Sequence, residues 1–187
     1  MKLYLIRHTS VAVPVGTCYG WTDVPVSDRF EAEAQACKHQ LDALTFDLVF
    51  TSPLTRAKRL ASFCGYPDAI EEPRMKEMNM GDWEMKRFDQ IQDPDLQKYF
   101  DHFLDHPTRN GESFRDLYRR VVDFIEALKA EEQRRRDDGL TDELRVAVFC
   151  HGGPIMCAMA YAGVIPFKEV YNHIPAHASV TSLEFTC

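Results

Sequence analysis

The chain alternates between short apolar runs and longer segments whose apolar residues recur with a helical period. Runs at 2–6, 46–50, 145–149 and 180–185 have the length of strands and are rich in leucine, valine and phenylalanine. The first three lead directly into polar or glycine-containing segments, as strands that enter loops do. We therefore predict four strands here, with a further short strand at 69–71.

Apolar residues recur at spacings of three and four between these strands, which predicts amphipathic helices. The second helix is expected to have Ser52 as its N-cap and Pro53 at its first helical position, because these residue types favour those places. The helices are predicted at 31–44, 52–64, 113–136 and 154–162, with short helical pieces at 88–91 and 96–104.

Strands that alternate with helices predict an α/β fold. We expect three layers, with a central, mostly parallel sheet flanked by helices on both faces. The chain has 187 residues and shows neither an internal repeat nor a linker-like tract. One domain over 1–187 is therefore predicted.

Net charge, hydropathy and cysteine content indicate which partners, metal sites and cellular compartment to expect. The 29 acidic residues outnumber the 22 basic ones, which gives a formal net charge of −7, whereas nucleic-acid binding needs a basic face. No run of about 18 apolar residues is present, so membrane insertion is not predicted. The six cysteines are scattered without a Cys-x-x-Cys pair, which argues against a disulfide framework or a zinc site and fits the cytoplasm. We expect a monomer or a small homo-oligomer.

Reactive residues follow three of the predicted strands. The first strand is followed by Arg7 and His8, the second by Ser52 and Arg56, and the third by His151. Because ligands of open α/β sheets bind at the carboxyl ends of the strands, we expect these side chains to lie together.

This combination of residue types suits a phosphoryl group. Arginine offers a planar pair of donors for phosphate oxygens, and a neutral imidazole can attack phosphorus. The helix N-termini after Ser52 and after Gly152 are expected to add backbone N–H donors. The sequence thus predicts a small phosphorylated substrate at this edge, despite the acidic net charge.

Four motifs, in order, resemble those of the histidine phosphatase superfamily, which includes the cofactor-dependent phosphoglycerate mutases. They are LIRHT at 5–9, SPLTRA at 52–57, EMNMGDWE at 77–84 and CHGG at 150–153. The loop GTCYGWTDVP at 16–25 is similar to that of the α-ribazole phosphatases within this superfamily. The resemblance implies a phosphoglycerate mutase-like fold with a cap-like insertion around 72–112 that decides the substrate.

The resemblance also implies catalytic roles. His8 is the expected nucleophile and becomes phosphohistidine, while Arg7, Arg56 and His151 hold the phosphoryl group. Glu77 is expected to protonate the leaving oxygen and then to activate water. Neither a metal nor a cofactor is expected, because the arginines and the second histidine neutralise the charge.

Five further residues are predicted to bind the substrate. Thr9 is one candidate for a donor that the loop supplies, and Gly152 follows the second histidine. Tyr19 could stack on an aromatic base or pack the loop onto the domain, and Gly20 adjoins it. His177 stands where asparagine is common in the superfamily. The five are Thr9, Tyr19, Gly20, Gly152 and His177.

Two departures from the superfamily pattern keep alternatives open. Pro14 stands where many members carry an asparagine, so either the loop supplies another donor or the phosphate has one contact fewer. Met85 stands where many carry a glycine, and its bulkier side chain could reshape the substrate end. The leading hypothesis is a phosphatase acting on α-ribazole 5′-phosphate in cobalamin biosynthesis. A phosphoglycerate mutase or a broad-specificity phosphatase is the first alternative, and a catalytically silent phosphate-binding relative is the second.

Overall fold

A computed structural model describes residues 1–186, and its centre is a sheet of five strands within those residues. The strand order is β3-β2-β4-β1-β5, in which only β5 runs antiparallel to its neighbour. This confirms the predicted α/β fold with a mostly parallel sheet. The strands are β1 (Lys2–Arg7), β2 (Leu48–Thr51), β3 (Ile70–Glu71), β4 (Arg145–Cys150) and β5 (Val180–Glu184).

Helices cover both faces of this sheet. Short 3-10 helices at Pro73–Met75, Gly81–Trp83, Phe88–Gln90 and Phe167–His173 complete the chain between the longer elements. The α-helices are α1 (Phe30–Leu41), α2 (Thr55–Phe63), α3 (Leu96–His102), α4 (Phe114–Asp137) and α5 (Gly152–Tyr161).

The apolar run of β1 is continuous because both of its faces are covered. Leu3 and Leu5 belong to the cluster formed with α4 and α5, whereas Tyr4 and Ile6 belong to the cluster formed with α1 and α2. Alternate side chains of a strand point to opposite faces, so each helix layer receives every second residue. This arrangement leaves only the strand ends free for chemistry.

Helix α2 begins three residues after Ser52, so the predicted N-cap is wrong. The N-cap is Leu54, and its side chain provides no cap. Ser52 Oγ instead accepts a hydrogen bond from the Leu54 N–H at 3.3 Å, which makes a turn before the helix. The first helical N–H, that of Thr55, donates to Oδ1 of Asp23 at 3.0 Å. A loop residue distant in sequence therefore caps this helix.

Helix α4 begins as its sequence predicts. Ser113 is its N-cap, with a capping box in which Ser113 Oγ accepts from the Asp116 N–H and Oδ2 of Asp116 accepts from the Ser113 N–H. The exposed side of α4 is heavily charged. No helix among residues 1–186 is both long and apolar enough to cross a bilayer.

Candidate active site

The ends of β1, β2 and β4 place three candidate residues at one edge of the sheet. These strands are neighbours in parallel register, with Arg7 opposite Cys150. The His8 N–H donates to the Cys150 carbonyl at 3.0 Å, and the Ser52 N–H extends the same pattern to the end of β4. His8, Ser52 and His151 consequently follow three adjacent strands, as predicted.

His8 is buried with one ring nitrogen engaged. Its Nδ1 lies 2.6 Å from the carbonyl oxygen of Thr9, an acceptor, so Nδ1 carries the proton and Nε2 carries the lone pair. Burial lowers the pKa of His8 well below its ordinary value, and the positive charges of Arg56 and Arg7 lower it further. The ring is therefore neutral at pH 7, the form that can act as a nucleophile.

His151 lies beside His8, with ring centroids 5.1 Å apart. Its Nε2 is 2.7 Å from Ser52 Oγ, and its Nδ1 has no partner within the protein. Burial also lowers the pKa of His151, with Arg56 the next cause. A Ser52 hydroxyl that donates to Nε2 leaves Nδ1–H as a donor for an anion beside His8.

The two arginines are held by backbone carbonyl groups. Arg56, which is fully buried, donates to the carbonyl oxygens of Gly20 at 2.6 Å and Thr22 at 3.0 Å. Arg7 donates to the carbonyl oxygen of Pro175. Each guanidinium is therefore fixed by neutral acceptors, and no carboxylate among residues 1–186 is bonded to either of them.

Buried polar atoms without a hydrogen-bond partner are concentrated around His8. Among the described residues there are six such side-chain atoms, and only one, on α4, belongs to a residue outside this site. The five are four nitrogens and one hydroxyl, groups that can donate, which suits an anion. Nowhere in residues 1–186 are three His, Cys, Asp or Glu side chains grouped to hold a metal ion. The five atoms are Arg7 Nε, Thr9 Oγ1, Arg56 Nε, His151 Nδ1 and His177 Nε2.

Glu77 lies at the N-terminus of α5. Its Oε2 accepts from the Gly153 N–H at 3.2 Å, and its Oε1 accepts from the Met78 N–H at 2.9 Å. The Glu77 carbonyl oxygen accepts from the Trp21 indole N–H at 2.7 Å and from Nη2 of Arg120 at 2.8 Å. Side chain and backbone are thus both fixed, and the carboxylate lines the same cavity as His8.

One N–H group at the start of each of α2 and α5 is occupied by a protein acceptor. Gly153 donates to Glu77, and Thr55 donates to Asp23. These two groups are therefore not available as anion donors. For the other N–H groups at these helix starts, anion binding stays a prediction.

The predicted substrate-binding residues occupy different positions. Tyr19 and Gly152 line the cavity next to His8, and the Tyr19 ring centroid is 5.4 Å from the Arg56 guanidinium carbon. The His177 ring centroid is 5.4 Å from that of His8. Gly20 is not part of the cavity lining; its carbonyl holds Arg56.

A cavity of about 540 Å³ extends from His8 and is mainly apolar. Apart from His8, the ionisable groups of its described lining are Arg7, Glu77 and tyrosine hydroxyls. Residues of 72–112 supply several of its apolar side chains. Its aromatic lining, besides Tyr19, consists of Phe88, Tyr99, Phe100, Phe103, Phe114 and Tyr171.

Three residues of the site gain a role that sequence reasoning missed. Ser52 was expected at this edge of the sheet with only the role of a helix cap, yet it bonds His151. Gly153 admits the Glu77 carboxylate, and the second glycine of CHGG was the available signal. Glu84, the last residue of the motif at 77–84, was given no role of its own, yet its carboxylate accepts from the backbone of 20–22.

Comparison with known proteins identifies the family. The model of the histidine phosphatase superfamily (branch 1) matches residues 3–187. The chain belongs to this superfamily. The resemblance predicted from the four motifs is confirmed, as is the prediction of an enzyme of this phosphatase superfamily.

Curated relatives of this histidine phosphatase include both phosphatases and phosphoglycerate mutases. An adenosylcobalamin/α-ribazole phosphatase of Salmonella typhimurium is 27% identical over 180 residues, covering 92% of this chain and 84% of the relative. A 2,3-bisphosphoglycerate-dependent phosphoglycerate mutase of Methylobacterium is 32% identical over 172 residues, covering 83% and 79%. The crystal structure of the α-ribazole phosphatase from Shigella flexneri superposes with a TM-score of 0.84 at 24% identity, covering 100% and 91%, which confirms the fold.

Proposed function

We propose that this histidine phosphatase is a phosphomonoesterase that works through a phosphohistidine at His8. The substrate we favour is α-ribazole 5′-phosphate, a phosphoester with an aromatic base, as an intermediate of cobalamin biosynthesis. We propose no metal and no cofactor for the reaction. The observation that carries the proposal is the ring of buried donors around the neutral, tautomer-fixed imidazole of His8.

In the first step Nε2 of His8 attacks phosphorus and the bond to the alcohol oxygen breaks. Arg7, Arg56 and His151 donate to the phosphoryl oxygens, and their hydrogen bonds strengthen as charge shifts in the transition state. Glu77, in its protonated form, gives its proton to the departing oxygen. General acid catalysis of this kind contributes roughly 10²–10⁴-fold.

In the second step Glu77, now a carboxylate, accepts a proton from water. The oxygen of that water attacks the phosphoryl group on His8, the N–P bond breaks, and inorganic phosphate leaves. His8 returns to its neutral form, because the Thr9 carbonyl keeps the Nδ1 proton in place. Thr9 Oγ1 and His177 Nε2, both without a partner in the protein, are proposed to bind the phosphoryl group or the substrate beside it.

The cavity supports an aromatic leaving group. Its lining is rich in aromatic side chains, and a heterocyclic base that leaves water can pack against them. We propose that 72–112 acts as a cap that sets this preference, since it contributes Phe88, Tyr99, Phe100 and Phe103. The names of the Salmonella and Shigella relatives agree with this substrate.

A phosphoglycerate mutase is the second candidate, favoured by the Methylobacterium relative. A mutase must hold a bisphosphate and a carboxylate while it keeps the phosphoryl group. Arg7 is the only permanent cation in the described cavity lining, so a second anionic group would be poorly neutralised. We therefore rank hydrolysis above transfer.

Phosphate release in the presence of EDTA tests the proposal. The substrates are α-ribazole 5′-phosphate and 3-phosphoglycerate, the latter with and without 2,3-bisphosphoglycerate. We expect kcat/KM of about 10⁴ M⁻¹s⁻¹ or more on the aromatic ester. His8→Ala should abolish release and the acid-labile phosphoenzyme, and replacement of the exposed His39 with alanine serves as the matched control.

Each alternative gives a different result. Formation of 2-phosphoglycerate only after priming with 2,3-bisphosphoglycerate would support the mutase. Slow release from both substrates that still depends on His8 would keep the phosphohistidine and remove the ribazole assignment. Phosphate binding without release from a broad panel of esters would identify a silent relative.

A further inference from the structure

We propose that Glu84 is a positioning residue for Arg56, which it fixes through the backbone of residues 20–23. We call these four residues the strap. The inference rests on the proposed function only in so far as Arg56 binds the phosphoryl group. Glu84 neither lines the cavity nor contacts His8, and its hydrogen bonds reach the site through the strap.

The Glu84 carboxylate is saturated with backbone donors. Oε2 accepts from the N–H groups of Gly20 at 3.0 Å and Thr22 at 3.2 Å. Oε1 accepts from those of Trp21 at 2.8 Å and Met80 at 3.1 Å. Three consecutive strap residues are thus bound by one side chain.

These bonds also decide the charge of Glu84. Burial alone would raise the pKa of its carboxyl, but the hydrogen bonds from Gly20, Thr22, Trp21 and Met80 together lower it below the ordinary value. The group is therefore a carboxylate at neutral pH and has no proton to give.

The opposite edge of the strap holds Arg56. The carbonyl oxygens of Gly20 and Thr22 accept hydrogen bonds from the two terminal nitrogens of the Arg56 guanidinium. Within residues 1–186 no carboxylate is hydrogen-bonded or ion-paired to Arg56. The peptide unit between Gly20 and Trp21 therefore links the Glu84 carboxylate directly to the Arg56 guanidinium, because its N–H donates to Glu84 and its carbonyl accepts from Arg56.

Two further contacts leave the strap little freedom to adjust. A β-carbon on Gly20 would lie 1.8 Å from the Met78 carbonyl oxygen, so the strap lies directly on that segment. Asp23 accepts hydrogen bonds from both the N–H and the hydroxyl of Thr55, the residue before Arg56. Gly20 at one end of the strap and Asp23 at the other are therefore both held by neighbouring segments.

Glu84→Gln removes this fixation with little change in size. The amide nitrogen that replaces one oxygen would face two backbone N–H groups, so donors would meet donors. We expect the strap to shift and Arg56 to lose its fixed position. Affinity for inorganic phosphate, measured as a competitive inhibitor, should fall about tenfold, and kcat/KM by at least as much. Glu84→Asp, which keeps both acceptor oxygens, should recover part of the loss.

A double-mutant cycle with Arg56→Ala distinguishes positioning from general support of the fold. If Glu84 acts through Arg56, Glu84→Gln should change phosphate affinity less than about threefold in the Arg56→Ala background. An equal tenfold loss in both backgrounds would overturn the proposal, as would an unchanged phosphate affinity in the single variant. Glu31→Gln, at an exposed position of α1, is the matched control.

A replacement variant and the behaviour of the wild-type enzyme complete the test. If Glu84→Gln does not fold, Glu84→Asp replaces it in the cycle, because its shorter side chain keeps the charge but holds the strap less well. If the wild-type protein binds phosphate but does not hydrolyse phosphoesters, only the proposed function is contradicted. A wild-type enzyme that depends on His8 but is insensitive to Glu84→Gln would count against the positioning role alone.

Discussion

Glu77 and Gly153 are in contact at the N-terminus of α5. The Gly153 N–H donates to Oε2 of Glu77 at 3.2 Å, and a β-carbon on Gly153 would lie 2.1 Å from Oε1 and 2.8 Å from Leu117 Cδ2. The position of the proposed acid therefore depends on a glycine two residues after His151. No other residue type leaves room for the carboxylate.

Gly153→Ala is expected to displace Glu77 and to lower kcat/KM on an alkyl phosphoester about 10²-fold, the scale of a lost general acid. The loss in kcat/KM should be much smaller on p-nitrophenyl phosphate, because its leaving group needs no proton and kcat/KM reports formation of the phosphohistidine rather than its hydrolysis. Steady-state kcat/KM on both substrates checks this. Gly152→Ala is the comparison, since the atoms nearest to its β-carbon would be those of Arg7, at an ordinary 3.5 Å or more. Equal losses in kcat/KM on both substrates would contradict the role of Glu77 as the acid.

Arg120 fixes the backbone that carries Glu77. It donates to the carbonyl oxygens of Arg74, Lys76 and Glu77 at 2.6 to 2.8 Å and pairs with Glu112. Both members of the pair are largely buried.

Arg120→Gln should therefore destabilise the protein by about 3 kcal/mol, because it leaves a carboxylate and three carbonyls without their donor. Urea unfolding at neutral pH measures the change. Arg119→Gln, one residue away and paired with Asp116 at the surface, should cost less than about 0.5 kcal/mol. Similar values for the two variants would show that the buried pair does not stabilise the segment around Glu77.

The strand ends were predictable from sequence because their signals are local. An apolar run that stops at Arg7 or Cys150, followed by polar residues or glycine, marks both the strand and its chemistry. The Ser113 capping box is equally local, and α4 begins where the sequence predicts.

The parts that could not be predicted depend on contacts between distant residues. The start of α2 is set by Asp23, which is 32 residues away from Thr55, and no propensity of Ser52 or Pro53 reveals that. Gly153 and Glu84 look like ordinary motif residues until the fold brings them to Glu77 and to the strap. The candidate residues could therefore be found from the sequence, but the long-range contacts that position them could not.

Two aromatic side chains at the mouth of the cavity should affect substrate binding. Phe88 and Phe100 line it while remaining 41% and 53% exposed. Replacing either with alanine should raise KM for an aromatic phosphoester about fivefold, from roughly 1 kcal/mol of lost contact, and leave kcat within about twofold. KM for glycerol phosphate should not change. Val164→Ala, at an exposed site outside the cavity, is the control.

Stability should decrease on acidification in part because of His177. Burial, followed by the charge of Arg7, lowers the pKa of His177 to about 4 from its ordinary value near 6.5. Between these values the unfolded chain binds a proton that the folded protein does not, so stability falls as pH falls from about 6.5 to about 4. Denaturant unfolding at several pH values gives the free energy of unfolding as a function of pH. In this range that free energy should change less steeply with pH for His177→Asn, by the equivalent of up to about one bound proton. An unchanged slope would contradict the lowered pKa.

Met85 has a left-handed backbone conformation, with φ of 62°, which a β-carbon disfavours. Its N–H donates to the Cys18 carbonyl at 2.7 Å, so the tertiary structure imposes the turn. The side chain is 47% exposed and does not line the cavity, so the idea that it reshapes the substrate end receives no support from its position.

Met85→Gly should therefore stabilise the protein by about 1 kcal/mol, because relief of the strain exceeds the added freedom of the unfolded chain. Met85→Ala is the matched control: it removes the side chain but keeps the β-carbon, so it should give no gain. Thermal unfolding measures both, and phosphate release should be the same for the two variants and the wild type. If alanine stabilised as much as glycine, exposure of the methionine rather than backbone strain would be the cause. If glycine destabilised the protein, contacts of the Met85 side chain would outweigh the strain in its backbone.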